Sequence, residues 1–386
     1  MEKQIYIERH PAQTETPRRV FNTLKELEET LASQGAYFTK ILNADLSNLD
    51  FNCPKGKKLL SQINGYDDKT TWPNDLKEKM ALQLECGKNS GLDISSVHKR
   101  GITGKGVNIA IIDKCLLLEH PEYKDNVKYY KEFGTENFIE KVGFLPDAQY
   151  HGAAVSSLSV GTNCGSAPDA GLYFLATHDF IYGKLYLDTR LDAIRHLIEL
   201  NNTLSEKDKI RCLSCSWGSK EDSGFKERIQ LFKQLEETGC MVFGGYYECI
   251  VRGSYYGGSK SDITSDAPDN LIPEFAISEN TLIVPKNQRT FASYTGGYIY
   301  EKKGGQSWTF PYMAGLVACA LQAYPNYTAQ KDWQNKIWKD LSDTALPRKD
   351  GNGKIVQPVA FIERMEQYQK EYLSKIKQIQ NNKQKA

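Results

Sequence analysis

The 386-residue sequence lacks any run of about 18 consecutive apolar residues, the length a membrane-spanning helix requires. Its N-terminal segment, MEKQIYIERHPAQTETPRR, contains no apolar stretch of signal-peptide length. Net charge is also nearly absent, because 49 lysines and arginines face 48 aspartates and glutamates. Such a balance creates no strong field that would recruit nucleic acid or anionic lipid. We therefore expect no binding to nucleic acids or membranes.

The cysteines show no regular arrangement. There are nine, an odd number, and their spacing suggests no disulfide framework. Reduced thiols in the cytoplasm explain this pattern best, so we expect a cytoplasmic protein. Cys212 and Cys215 form a C-x-x-C pair, but residues three apart in a strand point to opposite faces. No second pair with ligand spacing accompanies them, so we expect buried structural thiols, and we predict neither a metal site nor a cofactor.

The composition, with 40% hydrophobic and 25% charged residues, is typical of globular proteins. Three regions differ in pattern. Residues 1–87 have mixed character and no low-complexity linker after them, which predicts an extension that packs on the next domain. Residues 88–360 alternate between strand-like and helix-like segments. Residues 361–386 favour a solvated helix that ends in a polar tail.

The alternation in the middle region predicts an α/β fold with a mainly parallel central sheet and helices on both faces. Catalytic loops should then lie at the carboxyl ends of the strands. Short apolar runs are expected for strands that are covered on both faces. The strand-like segments are 107–112, 171–176, 211–216 and 240–244, and the helix-like segments are 191–200 and 226–237.

Three polar residues stand out by their local context. Asp113 directly follows a buried strand, where a rigidly held carboxylate can orient a histidine. His151 precedes a glycine and a helix of small residues, so that a helix can start beneath the imidazole. Ser307 follows paired glycines and begins a helix, which leaves its N–H free to bind an oxyanion. Each residue alone has a plainer explanation: a loop cap, a structural histidine and an N-cap serine, respectively.

Taken together, in the order Asp, His, Ser, the three segments resemble the active-site signatures of the subtilisin-like serine peptidases. The resemblance extends over roughly residues 100–345. It implies a subtilisin-like fold and a serine endopeptidase that uses Asp113, His151 and Ser307 as a catalytic triad and forms an acyl-enzyme. The other matching positions are Ile111, Ile112, His120, Pro121, Gly152, Val155, Gly305, Pro311, Ala314 and Gly315.

The resemblance also implies where a peptide or protein substrate would bind. Residues 213–218 (LSCSWG) resemble the family strand that pairs with the substrate backbone, which would bind an extended peptide by strand addition. The sequence does not indicate side-chain preference or oligomeric state. The residues expected to bind substrate are Ser216, Trp217, Gly218, Gly244 and Gly245.

One family feature is missing. The family has Gly-Asn after the strand at 240–244, and the Asn side chain donates a hydrogen bond to the oxyanion, but no Asn occurs between positions 241 and 262 here. Gly245 fits the glycine, which places Tyr246 or Tyr247 at the Asn position. Since a tyrosine hydroxyl can donate a hydrogen bond, Ser307, Tyr246 and Tyr247 are the oxyanion candidates. The missing Asn keeps a second hypothesis open: a catalytically silent subtilisin-like protein that binds peptides or a protein partner.

The N-terminal extension is expected to remain part of the mature protein, because no obvious flexible junction separates it from the strand at 107–112. Apolar residues at helical spacing within 20–31 predict a helix there. We expect the apolar side chains of the extension to bury on the peptidase domain. These include Val20, Leu24, Leu27, Leu31, Tyr37, Phe38 and Ile41.

Overall fold

The structure, a computed structural model, describes residues 5–35, 39–181, 184–185, 187–217, 224–245, 251–256, 271–273, 281–351 and 353–385. In chain order its strands are β1 (Tyr6–Ile7), β2 (Arg19–Val20), β3 (Lys40–Ile41), β4 (Ala44–Asp45), β5 (Gly65–Asp67), β6 (Asn108–Asp113), β7 (Val127–Phe133), β8 (Gly171–Thr177), β9 (Phe180–Ile181), β10 (Lys184–Leu185), β11 (Ile210–Cys215), β12 (Met241–Gly244), β13 (Val251–Tyr256), β14 (Leu271–Pro273), β15 (Leu282–Pro285), β16 (Arg289–Ala292), β17 (Tyr298–Glu301), β18 (Leu346–Pro347) and β19 (Lys354–Ile355).

Helices connect and cover these strands. Short 3₁₀ turns occur at Lys124–Asn126, Gln306–Trp308 and Pro325–Ala329. Of the helices in the described part of the chain, none combines the length and the apolar character needed to cross a bilayer. In chain order they are α1 (Leu24–Gln34), α2 (Pro54–Gln62), α3 (Asn74–Gly87), α4 (Ile94–Lys99), α5 (Thr135–Val142), α6 (Tyr150–Val160), α7 (Leu187–Thr203), α8 (Phe225–Glu237), α9 (Thr309–Ala323), α10 (Trp333–Thr344) and α11 (Pro358–Lys385).

A parallel sheet forms the centre of the molecule, with the strand order β1-β7-β8-β6-β11-β12. Its middle strand β6 (NIAIID) is buried along its whole length, as expected for a strand covered on both faces. Ile109 and Ile111 point into the core formed with α6 and α9, whereas Ala110 and Ile112 point into the core formed with α7 and α8. The predicted α/β architecture, with helices on both faces of a mainly parallel sheet, is therefore confirmed.

The predicted strands and helices of this domain are present with small shifts at their ends. The segment 107–112 is β6, 171–176 is β8, and 226–237 is α8. The helix predicted at 191–200 is longer in both directions, from Leu187 to Thr203. Its added turns contain Asp188, Asn201 and Asn202, polar residues that an apolar periodicity does not register.

The N-terminal extension joins the rest of the molecule through two sheets. β1 pairs in parallel with β7 at the edge of the central sheet. β5 pairs antiparallel with β17 and in parallel with β3, in the sheet β16-β17-β5-β3. Backbone hydrogen bonds thus connect the extension to strands that lie far along the sequence.

The apolar side chains of the extension pack differently from the prediction. Leu27, Leu31 and Ile41 are buried, but in a separate core built mostly from other residues of the extension, such as Phe51 and Trp72. α1, α2 and α3 surround this core, which also includes Tyr300 of β17, so the extension buries most of these apolar side chains against one another. Leu24 packs at the edge of this core, Val20 is exposed, which corrects its predicted burial, and Tyr37 and Phe38 lie outside the described residues.

Two further regions complete the fold. The strands β14-β13-β15-β19-β18 form a mixed sheet, and β9 with β10 and β2 with β4 form two-stranded pairs. The predicted C-terminal helix is present as α11, but its first turns are not solvated. Phe361, Ile362 and Met365 are buried in the main core, whereas Leu373 and Ile379 are exposed.

Candidate active site

Asp113 and His151 meet at the carboxyl end of β6. Asp113 is the last residue of this strand, and His151 lies in the first turn of α6. Gly152 permits this approach, because a Cβ atom at that position would lie 2.1 Å from the carbonyl oxygen of Lys114. His151 Nδ1 lies 2.7 Å from Asp113 Oδ1 and 2.9 Å from Oδ2. Since a carboxylate only accepts hydrogen bonds, Nδ1–H donates and Nε2 of the neutral ring is left to act as a base.

The electrostatics of the pair favour a charged imidazole. The Asp113 side chain is 4% exposed and that of His151 is 32% exposed. Burial lowers the pKa of His151, but the charge and hydrogen bond of Asp113 outweigh it, so the pKa is raised even though Lys114 opposes the shift. Asp113 also accepts a hydrogen bond of 2.8 Å from the backbone N–H of Lys114. This arrangement stabilises the imidazolium that a base forms when it takes a proton.

Ser307 lies in the 3₁₀ turn Gln306–Trp308, which leads directly into the buried helix α9. Its Oγ donates to the carbonyl oxygen of Ser216 at 3.4 Å, and the Oγ of Ser216 donates to the carbonyl oxygen of Ser307 at 2.9 Å. Both residues are described, as is His151, and no hydrogen bond joins His151 to Ser307. In enzymes without substrate such bonds are often long and tighten only in the complex.

Trp308 connects the serine turn to the histidine. Its ring centroid lies 5.4 Å from that of His151, with the two planes inclined by 32°. The indole Nε1–H donates to Glu301 Oε2 at 3.0 Å, and Glu301 forms an ion pair of 3.1 Å with Lys40 of the extension. Trp308, Glu301 and Lys40 are not among the motif positions that the sequence presents. Only Trp308 has a local signal, because it immediately follows the candidate nucleophile Ser307.

The expected substrate-binding residues lie beside the serine turn. Ser216 and Trp217 follow the end of β11, and Gly244 and Gly245 lie at the end of the neighbouring parallel strand β12. Because Cys215 and Gly244 are paired in register, these four residues occupy the same edge of the sheet. Gly218, Tyr246 and Tyr247, by contrast, lie outside the described residues, so the second oxyanion donor stays a prediction.

Two arginine guanidinium groups lie over the ring of Trp217. The guanidinium carbon of Arg190 lies 4.4 Å from the Trp217 ring centroid, and that of Arg228 lies 5.6 Å from it. Arg190 also pairs with the fully buried Asp179, which pairs in turn with Lys114, the residue after Asp113. One buried carboxylate therefore connects the residue after β6 to the tryptophan expected to line the substrate cleft.

Among the described residues, Cys115, Glu132 and His178 form a group whose ligand atoms lie within 4.8 Å of one another. Arg9 of the extension already supplies the positive charge, since its NH2 lies 2.7 Å from Glu132 Oε1 and 3.7 Å from the sulfur of Cys115. Burial opposes ionisation of Glu132, but hydrogen bonds from His178, Arg9 and Tyr130 outweigh it and lower its pKa. Burial raises the pKa of Cys115 to about 12, so without a metal ion the thiol is protonated. In this structure the group holds the guanidinium of Arg9.

The C-x-x-C pair follows the prediction. Cys212 points into the core on the α9 side of the sheet, and Cys215 points into the core on the α7 side. Both are buried free thiols, as expected for structural cysteines.

No family model matches the sequence. Human proprotein convertase subtilisin/kexin type 6 is 25% identical over 303 residues, which cover 69% of this chain and 30% of the convertase. Furin-like protease 1, isoform 1-CRR, of Drosophila melanogaster is 26% identical over 305 residues, covering 69% and 25%. Rat proprotein convertase subtilisin/kexin type 4 is 24% identical over 281 residues, covering 65% and 39%. The chain thus spans less than two fifths of the length of these relatives.

A search of solved structures found the prenylagaramide maturation protease PagA, which is 16% identical, with a TM-score of 0.46, over 71% of this chain and 98% of that protein. In sequence, this chain is similar to the subtilisin-like (subtilase) proteases, as a divergent relative at about 25% identity.

Proposed function

We propose that this protein is a serine endopeptidase that hydrolyses peptide bonds through Asp113, His151 and Ser307. The observation that carries the proposal is the 2.7 Å pair between Asp113 and His151, set beside a serine that opens a buried helix. The curated relatives are named as proteases and convertases, which supports peptide hydrolysis as the reaction class.

The geometry supports a four-part reaction. Ser307 Oγ attacks the scissile carbonyl carbon, and its proton passes to Nε2 of His151, while Asp113 stabilises the imidazolium. The oxyanion accepts a hydrogen bond from the backbone N–H of Ser307, at the start of the turn, where helix N–H groups have no internal partner. The imidazolium then protonates the leaving amine, and the C–N bond breaks to give an acyl-enzyme. Water attacks the ester with His151 as base, which releases the acid and restores Ser307.

The proposed substrate is an extended polypeptide that pairs with the backbone after β11, beside Ser216 and Trp217. The near-zero net charge supports a partner other than nucleic acid. A reducing, cytoplasmic location is proposed from the thiols, because the eight described cysteines are all free.

A second candidate function has its own support. A catalytically silent protein that binds peptides would need neither the oxyanion Asn, which is missing between positions 241 and 262, nor a hydrogen bond between His151 and Ser307, which the described residues do not form. In that case the cleft beside Trp217 would bind a polypeptide without cleaving it.

Labelling with a fluorophosphonate separates the two functions, because only an activated serine displaces fluoride from phosphorus. Intact mass should show one adduct per chain in the wild-type protein and none in Ser307→Ala. Peptide mapping should place the adduct on Ser307. A folded wild-type protein that gains no adduct would rule out the peptidase and support the silent binding protein.

A further inference from the structure

Lys40, in the N-terminal extension, reaches the surroundings of the candidate triad. It lies on β3, and its Nζ is 3.1 Å from Oε1 of Glu301 and 4.2 Å from the centroid of the Tyr150 ring. Tyr150 is the residue immediately before His151. The Lys40 side chain is 16% exposed and that of Glu301 is 7% exposed, so the ion pair is largely shielded from water.

Glu301 is shared between the extension and the serine turn. One carboxylate oxygen pairs with Lys40, and the other accepts the indole N–H of Trp308 at 3.0 Å. Because the two oxygens belong to one planar group, the lysine fixes the orientation in which the carboxylate meets the indole. Glu301 is the last residue of β17, the strand that pairs with β5 of the extension.

Trp308 carries this constraint to the catalytic groups. It follows Ser307 directly, and its ring packs against His151, with Phe291 at a centroid distance of 5.1 Å and Tyr150 at 6.3 Å on its other sides. The indole is 3% exposed. A rotation of this ring would therefore move both the imidazole and the turn that presents Ser307 Oγ.

We propose that Lys40 is a positioning residue for the hydrolysis proposed above: through Glu301 it holds Trp308 against His151 and fixes the turn that carries Ser307. The inference rests on the proposed function for its effect on rate. Its structural part, the chain of contacts from Lys40 to His151, stands on the distances alone. Lys40 lies outside the three subtilisin-like segments of the sequence. The extension therefore supplies a positioning residue that those segments lack.

Removal of the Lys40 charge and removal of the Glu301 charge should have different effects. Lys40→Met would remove the counter-ion of a buried carboxylate, which is costly unless the group takes up a proton or moves toward water. Movement toward water releases the indole, and protonation weakens its hydrogen bond because the acceptor loses its charge. Glu301→Gln keeps an oxygen for the indole N–H but removes a negative charge near His151. The groups that act on the pKa of His151 are Asp113, Lys114 and Glu301, and Glu301 raises that pKa.

The experiment measures two quantities on the full chain. The first is the second-order rate constant for labelling of Ser307 by diisopropyl fluorophosphate, followed by intact mass. Lys40→Met should lower it about tenfold or more, while Lys40→Arg, which keeps the charge, should restore most of it. The matched control is Lys55→Met, which removes an exposed lysine of the same extension from its ion pair with Glu28 and should leave the rate unchanged.

The second quantity is the pKa of His151 from an NMR titration, with the signal assigned by comparison with His151→Asn. Glu301→Gln should lower this pKa, an effect that loss of stability alone does not produce. Thermal unfolding of each variant identifies those that fail to fold. If Lys40→Met does not fold, Glu301→Gln provides the test. A labelling rate within twofold of wild type in folded Lys40→Met, or an unchanged His151 pKa in Glu301→Gln, would overturn the proposal. A wild-type protein that is never labelled would defeat the proposed function, and the titration would still decide whether the charge of Glu301 acts on His151.

Discussion

Arg9 should contribute far more to stability than an ordinary surface arginine. Its guanidinium donates to Glu132, whose side chain is 2% exposed, and to the carbonyl oxygen of Pro146 at 2.8 Å. Removing one partner from a buried ion pair costs about 3–5 kcal/mol, because the other charge is left without a counter-ion. The Arg9 side chain is 20% exposed, and Glu132 keeps its hydrogen bonds with His178 and Tyr130, so we expect the lower end of that range or slightly less, about 2–3 kcal/mol, for Arg9→Met.

Urea unfolding followed by fluorescence measures this loss. Arg9→Met combined with Glu132→Gln should be more stable than Arg9→Met alone, because the double variant leaves no unpaired charge. The matched control is Arg18→Met, which removes an exposed arginine of the extension from its pair with Asp45 and should cost well under 1 kcal/mol.

The pH dependence of the free energy of unfolding gives a further test of the Arg9–Glu132 pair. The folded-state pKa of Glu132 lies below its ordinary value of 4.5, so its contribution to stability is fully present above that value and is lost as the pH falls through the folded-state pKa. In Arg9→Met the loss should begin at a higher pH. If Arg9→Met costs no more than Arg18→Met at neutral pH, the buried pair is not what ties the extension to the central sheet.

Four other predictions can be tested directly. Ser307→Ala should abolish peptide hydrolysis and leave the unfolding temperature nearly unchanged; hydrolysis near the wild-type rate would remove Ser307 from the mechanism. Tyr246→Phe or Tyr247→Phe should lower kcat about tenfold if that hydroxyl completes the oxyanion hole, and full kcat in both variants would place the second donor elsewhere. Intact mass of the purified active protein should show that residues 1–87 are retained; a shorter chain formed only when Ser307 is present would identify a self-cleaved propeptide. Because the pKa of His151 is raised, kcat/KM should fall with decreasing pH around a midpoint above the ordinary value of 6.5; a midpoint below 6.5 would contradict the geometry of the Asp113 pair.

The sequence predicted the central sheet and the contact between Asp113 and His151 because their signals are local, whereas the role of Ser307 stays a prediction. A short apolar run that ends in a carboxylate needs no distant partner to be recognised, and β6 ends at Asp113 as expected. The pairing of Asp113 with His151 is a contact across 38 positions, yet each residue carries its own local context, so the order of the segments was sufficient.

The contacts that the sequence did not predict are those between the extension and the peptidase domain. Lys40 with Glu301 and Arg9 with Glu132 join positions with no periodicity or motif in common. A charged residue in a single sequence gives no sign that it will be buried, because burial depends on the partner that it meets. For the same reason the apolar positions of α1 predicted a helix correctly but not the surface on which it packs.

The pairing of β5 with β17 has a consequence for the order in which the protein can become active during synthesis. Tyr66 of β5 pairs with Tyr300 of β17. The backbone hydrogen bonds between these strands can therefore form only after the ribosome has made β17, long after β5. Contacts between such distant positions form slowly, because a long loop has to close first. Ser307 emerges only a few residues after β17, in the same late part of the chain. If the proposed function holds, a nascent chain therefore has no complete hydrolytic centre until β17 and the serine turn have been made, and cleavage of the chain by itself during synthesis is limited to its last stages.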